Sequence, residues 1–169
     1  MAIPAFIKAL RAKVGTALLH VPTVAVLAYD DQGRMLLVKD KPSGLWGAPS
    51  GIVDPHELPS DAAVREVWEE AGVYVELTQL LGVFAGERFS VVYPNGDQLA
   101  GVETVFAARV ITGIPHADQE ETSDAEYFDR GEIDANGQEL YGNTVFNKAY
   151  QRRQQQRGKG SFSFSDAFS

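Results

Sequence analysis

Three glutamates, Glu66, Glu69 and Glu70, fall within five residues in the stretch GIVDPHELPSDAAVREVWEEAGV, residues 51–73. On a helix, carboxylates three and four residues apart share one surface and repel by about 0.2–0.5 kcal/mol per pair. Such a surface is either a solvated acidic face or a set of oxygen ligands. Hard divalent cations such as Mg²⁺ prefer carboxylate oxygens, and Mg²⁺ typically takes few protein ligands together with substrate phosphates. The chain carries a formal net charge of −8 and a pI near 4.8, which argues against a nonspecific grip on polymeric nucleic acid or on an anionic membrane. If the ligand is itself an anion, a cation must stand between it and this protein, and a metal ion is the obvious one.

The elements that must position these carboxylates can be read from periodicity. Pro59 to Ala71 has proline in the first turn and Gly72 just past the end, the expected limits of a helix. At about 100° per residue, Val64, Val67, Trp68 and Ala71 form an apolar stripe with the three glutamates on the opposite side. Arg65 sits at the edge of the acidic arc, four residues before Glu69. Immediately upstream, KPSGLWGAPSG is a loop dense in Gly, Pro and Ser, able to offer a main-chain carbonyl and to let a ligand approach the backbone.

Strands are expected at 22–29 and 34–39 across the turn Asp30–Gly33, in a short apolar element at 51–53, and in three runs after the helix. Two of those, around 88–93 and 98–110, join through Pro94-Asn95-Gly96-Asp97, a hairpin signal. Residues 4–13 show a helical stripe through Phe6, Ile7 and Leu10, continuing at Val14, with a basic opposite side. AEYF reads as a short strand and 142–157 as a last helix. The whole reads as one domain, 1–157, with an N-terminal helical extension (1–20) and a polar tail (158–169). The absence of cysteine excludes disulfides, thiolate metal sites and a thiol nucleophile. No apolar run is long enough for a membrane span, and Lys8, Arg11 and Lys13 interrupt the N-terminal apolar pattern, so a cytoplasmic protein is expected.

Gly51, Glu57 and then Arg65-Glu66-Val67-Trp68-Glu69-Glu70-Ala71-Gly72-Val73 resemble a complete Nudix box, and Trp46 with Pro49-Ser50-Gly51 resembles the run that precedes it in that family. The likeness in strand order extends over roughly residues 20–130. It implies an α/β Nudix fold, a mixed β-sheet sandwiched between helices (α/β/α). It also implies a pyrophosphohydrolase that uses Mg²⁺ or Mn²⁺ on a nucleoside diphosphate derivative such as ADP-ribose, or on a nucleoside triphosphate. Glu66, Glu69 and Glu70 would hold metal, with the main-chain carbonyl of Ser50, where glycine is commoner. Arg65 and Glu57 would form the supporting ion pair. The general base would be Glu66 or a loop glutamate before a late strand, here Glu121, with Glu120 as the competing register. Trp46 could stack on a base or fill the core; Arg88 could meet a phosphate or be an exposed strand residue. No role is assigned to His20, His56 or His116. A homodimer built through the N-terminal helix or the tail is expected by analogy with the family. The other reading of the fold is a nucleotide-sensing protein without turnover.

Overall fold

The computed structural model of the protein describes residues 3–129 and 132. The anticipated helix at 142–157 and the tail at 158–169 lie outside the described residues. In chain order the elements are α1 (Ala5–Val14), β1 (Leu19–Tyr29), β2 (Met35–Asp40), β3 (Trp46–Gly47), β4 (Ser50–Ile52), α2 (Pro59–Ala71) and β5 (Tyr74–Phe84). A short 3₁₀ turn (Glu87–Phe89), β6 (Ser90–Val92), β7 (Gln98–Thr112) and β8 (Thr122–Phe128) follow.

The strands form one mixed sheet in the order β3-β2-β1-β7-β5, with β4 also on β1, β6 on β7 and β8 on β2. β1 and β7 run parallel from Leu19↔Leu99 to Tyr29↔Arg109, whereas every other pairing is antiparallel. A central parallel pair must bury both faces, and β1 accordingly reads as a near-continuous apolar run. Ala25, Leu27 and Tyr29 join one core with Met35, Leu37 and Val105. Val24, Val26 and Ala28 join the other, beneath α2. The fold is therefore a mixed sheet with flanking helices, as the resemblance implies.

The 93–97 hairpin is a tight turn with one left-handed residue. The Gly96 amide donates to Tyr93 O at 2.9 Å, and only Gly96 takes a positive φ, 86°. Asn95 instead uses its side chain, accepting from the Asp97 amide at 3.1 Å.

The helix α2 has the expected limits but a different buried face. Ala62, Ala63, Glu66, Val67, Glu70 and Ala71 are buried, while Trp68 is 44% exposed and stacks on Tyr74 with centroids 4.3 Å apart. The three small alanines let the helix lie close on the Val24–Ala28 face of β1, and that contact, rather than the bulk of Trp68, sets its rotation. Burying Val67 alone contributes about 1.5–3 kcal/mol. This rotation carries Glu66 and Glu70 inward, away from the solvent face that periodicity assigns them.

Burial also encloses a carboxyl group on the other face. Glu103 on β7 is paired in register with Thr23 and Phe84, and its Oε1 is buried without a hydrogen-bond partner. Burial raises its pKa from 4.5 to about 7, against a smaller lowering by the Thr23 hydroxyl. Between those values the folded chain keeps a proton that the unfolded chain has released, so this group subtracts stability as pH rises from about 4.5 to beyond 7. Glu103→Gln removes that slope. In thermal melts the gain of the variant over the parent should be larger at about pH 8.5 than at about pH 5; an equal difference at both pH values would show that Glu103 does not titrate this way.

Candidate active site

The site begins with the turn that enters α2. The Glu57 amide donates to Asp54 O at 3.0 Å and the Asp54 amide to Glu57 Oε2 at 3.0 Å, with His56 at a φ of 72° between them. His56 is thus an exposed turn residue. The turn fixes the Glu57 carboxylate in front of Arg65. Arg65 Nε donates to Glu57 Oε1 at 2.8 Å and Nη2 to Glu57 Oε2 at 2.9 Å, a two-pronged pair.

The remaining donors of the same guanidinium are also used. Nη2 reaches Ile52 O at 3.2 Å, and Nη1 bridges Glu66 Oε1 at 2.8 Å and Glu69 Oε2 at 3.0 Å. All five N–H groups of Arg65 are therefore engaged. Its hydrogen bond to Glu57 dominates a strong upward shift of its pKa and holds Glu57 below the ordinary carboxylate range.

Glu66 and Glu70 are each only 6% exposed, whereas the side chain of Glu69 is 53% exposed. Burial raises Glu66 to about 7 despite Arg65, with Glu69 and Glu121 adding repulsion. Burial likewise pushes Glu70 well above its ordinary value, opposed by the Ser50 amide, which donates to Glu70 Oε2 at 3.0 Å. Gly51 makes the close approach: a methyl group there would overlap the Glu66 carboxylate. The glycine leaves the Glu66 carboxylate its present place, which a Cβ would push aside, and does not serve a left-handed backbone.

The acidic loop before β8 is tied to the end of α2. Thr122 Oγ1 donates to Glu70 O at 2.9 Å and the His116 amide to Ala71 O at 3.0 Å, covering carbonyls that the helix leaves open. Gly72 closes the helix at a φ of 65°, and a side chain there would strike the His116 ring. Asp118 Oδ1 accepts the amides of Glu120, Glu121 and Thr122 at 3.1, 3.1 and 2.9 Å. Burial works against the ionised Asp118, but these amides outweigh it and hold its pKa low. Asp118, Thr122 and His116 are positioning residues that the sequence reading passes over. The D-x-x-x-T spacing, an aspartate capping its own loop, is the signal that could have found the first two.

These contacts bring Glu121 to a cleft of about 470 Å³ that also takes in Arg65, Glu66 and Glu69. Of the residues singled out from sequence, Glu57, Arg65, Glu66, Glu69, Glu70 and Ser50 come together with Glu121. Trp46 does not line this cleft. It packs edge-on against Phe128, centroids 4.8 Å apart, at the margin of the opposite core, which is the core-filling role. Arg88 lies in the 3₁₀ turn rather than a strand, and its side chain is outside the described residues.

The donor chemistry fits a hard divalent cation: oxygen ligands only, two of them buried carboxylates that repel one another. Their present arrangement is not a coordination sphere. Among the described residues no three His, Cys, Asp or Glu side chains converge to hold a metal ion. Arg65 occupies Glu66 and Glu69, and the Ser50 amide occupies Glu70.

A mixed sheet carrying an acidic helix against a close-packed glycine loop defines an α/β protein with an oxygen-ligand cleft. The NUDIX domain family model matches residues 19–147, and the chain belongs to that family. Over 74 residues it is 35% identical to a MutT-like protein of Streptomyces ambofaciens, covering 44% of this chain and 48% of the relative. Over 108 residues it is 32% identical to a Bacillus subtilis (strain 168) protein named, provisionally, as an 8-oxo-dGTP diphosphatase, covering 64% and 66%. The alignments thus span about half to two thirds of these relatives. The crystal structure of a MutT protein from Methanosarcina mazei Go1 superposes with a TM-score of 0.63 at 21% identity, covering 83% of this chain and 96% of that one, a likeness of fold.

Arg65→Met leaves Glu57, Glu66 and Glu69 without their shared cation. Losing one partner of a buried pair costs about 3–5 kcal/mol, and partial solvent screening here brings the expected loss to about 2–3 kcal/mol. Urea unfolding of the metal-free protein at pH 7.5 should read that loss; a change within about 0.5 kcal/mol would show that the network does not hold the site together.

Proposed function

We propose that this chain is a Mg²⁺- or Mn²⁺-dependent pyrophosphohydrolase acting on a nucleoside diphosphate derivative, such as ADP-ribose, or on a nucleoside triphosphate. The observation that carries this reading is the burial of Glu66 and Glu70 side by side with Glu121 in reach of the same cleft. Folding alone gains nothing from desolvating adjacent carboxylates. A cation-dependent reaction on an anionic substrate gives that arrangement a use. The name of the Bacillus relative points the same way.

Glu66, Glu69, Glu70 and the main-chain carbonyl of Ser50 are the groups that would hold the ion. Bound there, it supplies charge neutralisation of the anhydride and a lowered pKa for water. The chain's own residues do the rest. Arg65, anchored on Glu57, aligns the first two carboxylates; Gly51 leaves room for Glu66; Thr122 and Asp118 hold the Glu121 loop against α2. Because Glu66 is engaged by Arg65 and belongs to the metal-holding set, proton abstraction falls to Glu121. A water oxygen bonds to phosphorus, the bridging P–O bond breaks, and the water proton passes to the Glu121 carboxylate. The nucleotide-sized substrate and the cytoplasmic setting belong to this proposal as well.

Chromatography of both products, from ADP-ribose and nucleoside triphosphates with each metal, is the test. Two phosphomonoesters from ADP-ribose, or a nucleoside monophosphate with pyrophosphate from a triphosphate, are expected. In the same assay Glu121→Gln should lower kcat by about 10²–10⁴-fold with KM little changed, while Glu69→Gln should raise the metal concentration needed for half-maximal rate. Nucleotide binding without any product would support the sensing role instead.

A further inference from the structure

The carboxylate cleft has a second wall of different chemistry. Facing Arg65, Glu66 and Glu69 are Pro4, Ala5 and Phe6 from the start of α1, with Ile52 and Pro55 beside them. The α1 residues precede the segment that matches the family model, which begins at residue 19. The Pro4–Phe6 part of the wall therefore lies outside the matched segment, whereas Ile52 and Pro55 lie within it.

It is also firmly held. Ile7 is 2% exposed and packs with Val21 and Ile52, and Phe6 lies against the same cluster. Ile52 in turn gives its carbonyl to Arg65, so α1 and the acidic network meet on one residue. At the far end of α1, Arg11 donates to the carbonyls of Gly15, Ala17 and Gln98, which ties the helix to the 93–98 hairpin. A cavity of about 470 Å³ falls within the usual size range of small-molecule sites, which pair apolar walls with a few polar groups.

We propose that Phe6, backed by Ile52 and Pro55, is the specificity-determining wall of this site and takes the flat face of the substrate's nucleobase. This rests on the nucleotide reading of the cleft given above. The two walls divide the recognition: the acidic side deals with phosphates through a cation, and the α1 side distinguishes a nucleoside from bare polyphosphate. A ring face is what a nucleobase stacks on regardless of its identity, so the wall selects for a base rather than for one base.

The test is calorimetric binding to the full chain in Mg²⁺, with adenosine and guanosine 5′-(α,β-methylene)triphosphates and with inorganic tripolyphosphate as probes. Phe6→Ala should weaken binding of both nucleotide analogues by about tenfold and leave tripolyphosphate unchanged. Phe6→Tyr, which keeps the ring, should restore nucleotide binding and serves where the alanine variant unfolds. Equal weakening of all three probes, no change in any, or failure of the parent to prefer the nucleotides would overturn the proposal. Nucleotide preference that depends on Phe6 in a chain that forms no hydrolysis products would support the wall while refuting the hydrolase reading.

Discussion

The Arg65 guanidinium is the constraint on which the rest of the site depends. It is the one cation contacting Glu57, Glu66 and Glu69 among the described residues, and it also meets the carbonyl that ends β4. Through these bonds the entry turn, the sheet edge and the helix are held in one arrangement. A lysine could supply the charge but not the five directed donors, so the geometry calls for arginine. Carboxylates that would otherwise repel are thereby kept close and within reach of the cleft.

Much of this architecture was legible in the sequence. Pro59 and Gly72 mark the limits of α2 because one lacks an amide that a first turn does not need and the other tolerates a left-handed conformation. Of the box residues recognised by spacing, Arg65, Glu66 and Glu69 line the cleft, and Glu57 meets it through its bonds to Arg65. The rotation of α2 was not legible, because periodicity weighs apolar bulk and so favoured Trp68. The packing instead rewards the small Ala62, Ala63 and Ala71, which admit close approach to the sheet. Long-range pairing was equally hidden: nothing local to Leu19–Tyr29 or Gln98–Thr112 says that they run parallel and leave Glu103 beside Thr23.

The two ends of the acidic helix are secured differently, and this shapes what the site can do. At its start, the ion pair leaves charges that a competing cation can redistribute. At its end, Thr122 and His116 close the helix with neutral hydrogen bonds to main-chain carbonyls, which are indifferent to the charge in the cleft. Glu121 hangs from that second, rigid anchor, whereas Glu66 and Glu69 hang from the first. In the proposed reaction, a group that takes a proton from water benefits from the fixed end, and groups that exchange Arg65 for a metal ion benefit from the exchangeable one.

The central claim is that buried Glu66 and Glu70 form a divalent-metal site whose carboxylates are partly protonated without metal. Titrating the metal-free chain with Mn²⁺ at pH 6, reading bound ion by electron paramagnetic resonance and proton release by an indicator, tests it most directly. The account predicts that Mn²⁺ binds and expels protons, since Glu66 with a pKa of about 7 and Glu70 well above the ordinary range must ionise to become ligands. Glu70→Gln should lower both signals together. Mn²⁺ that fails to bind, or that binds equally well to the variant with no proton released, would contradict it.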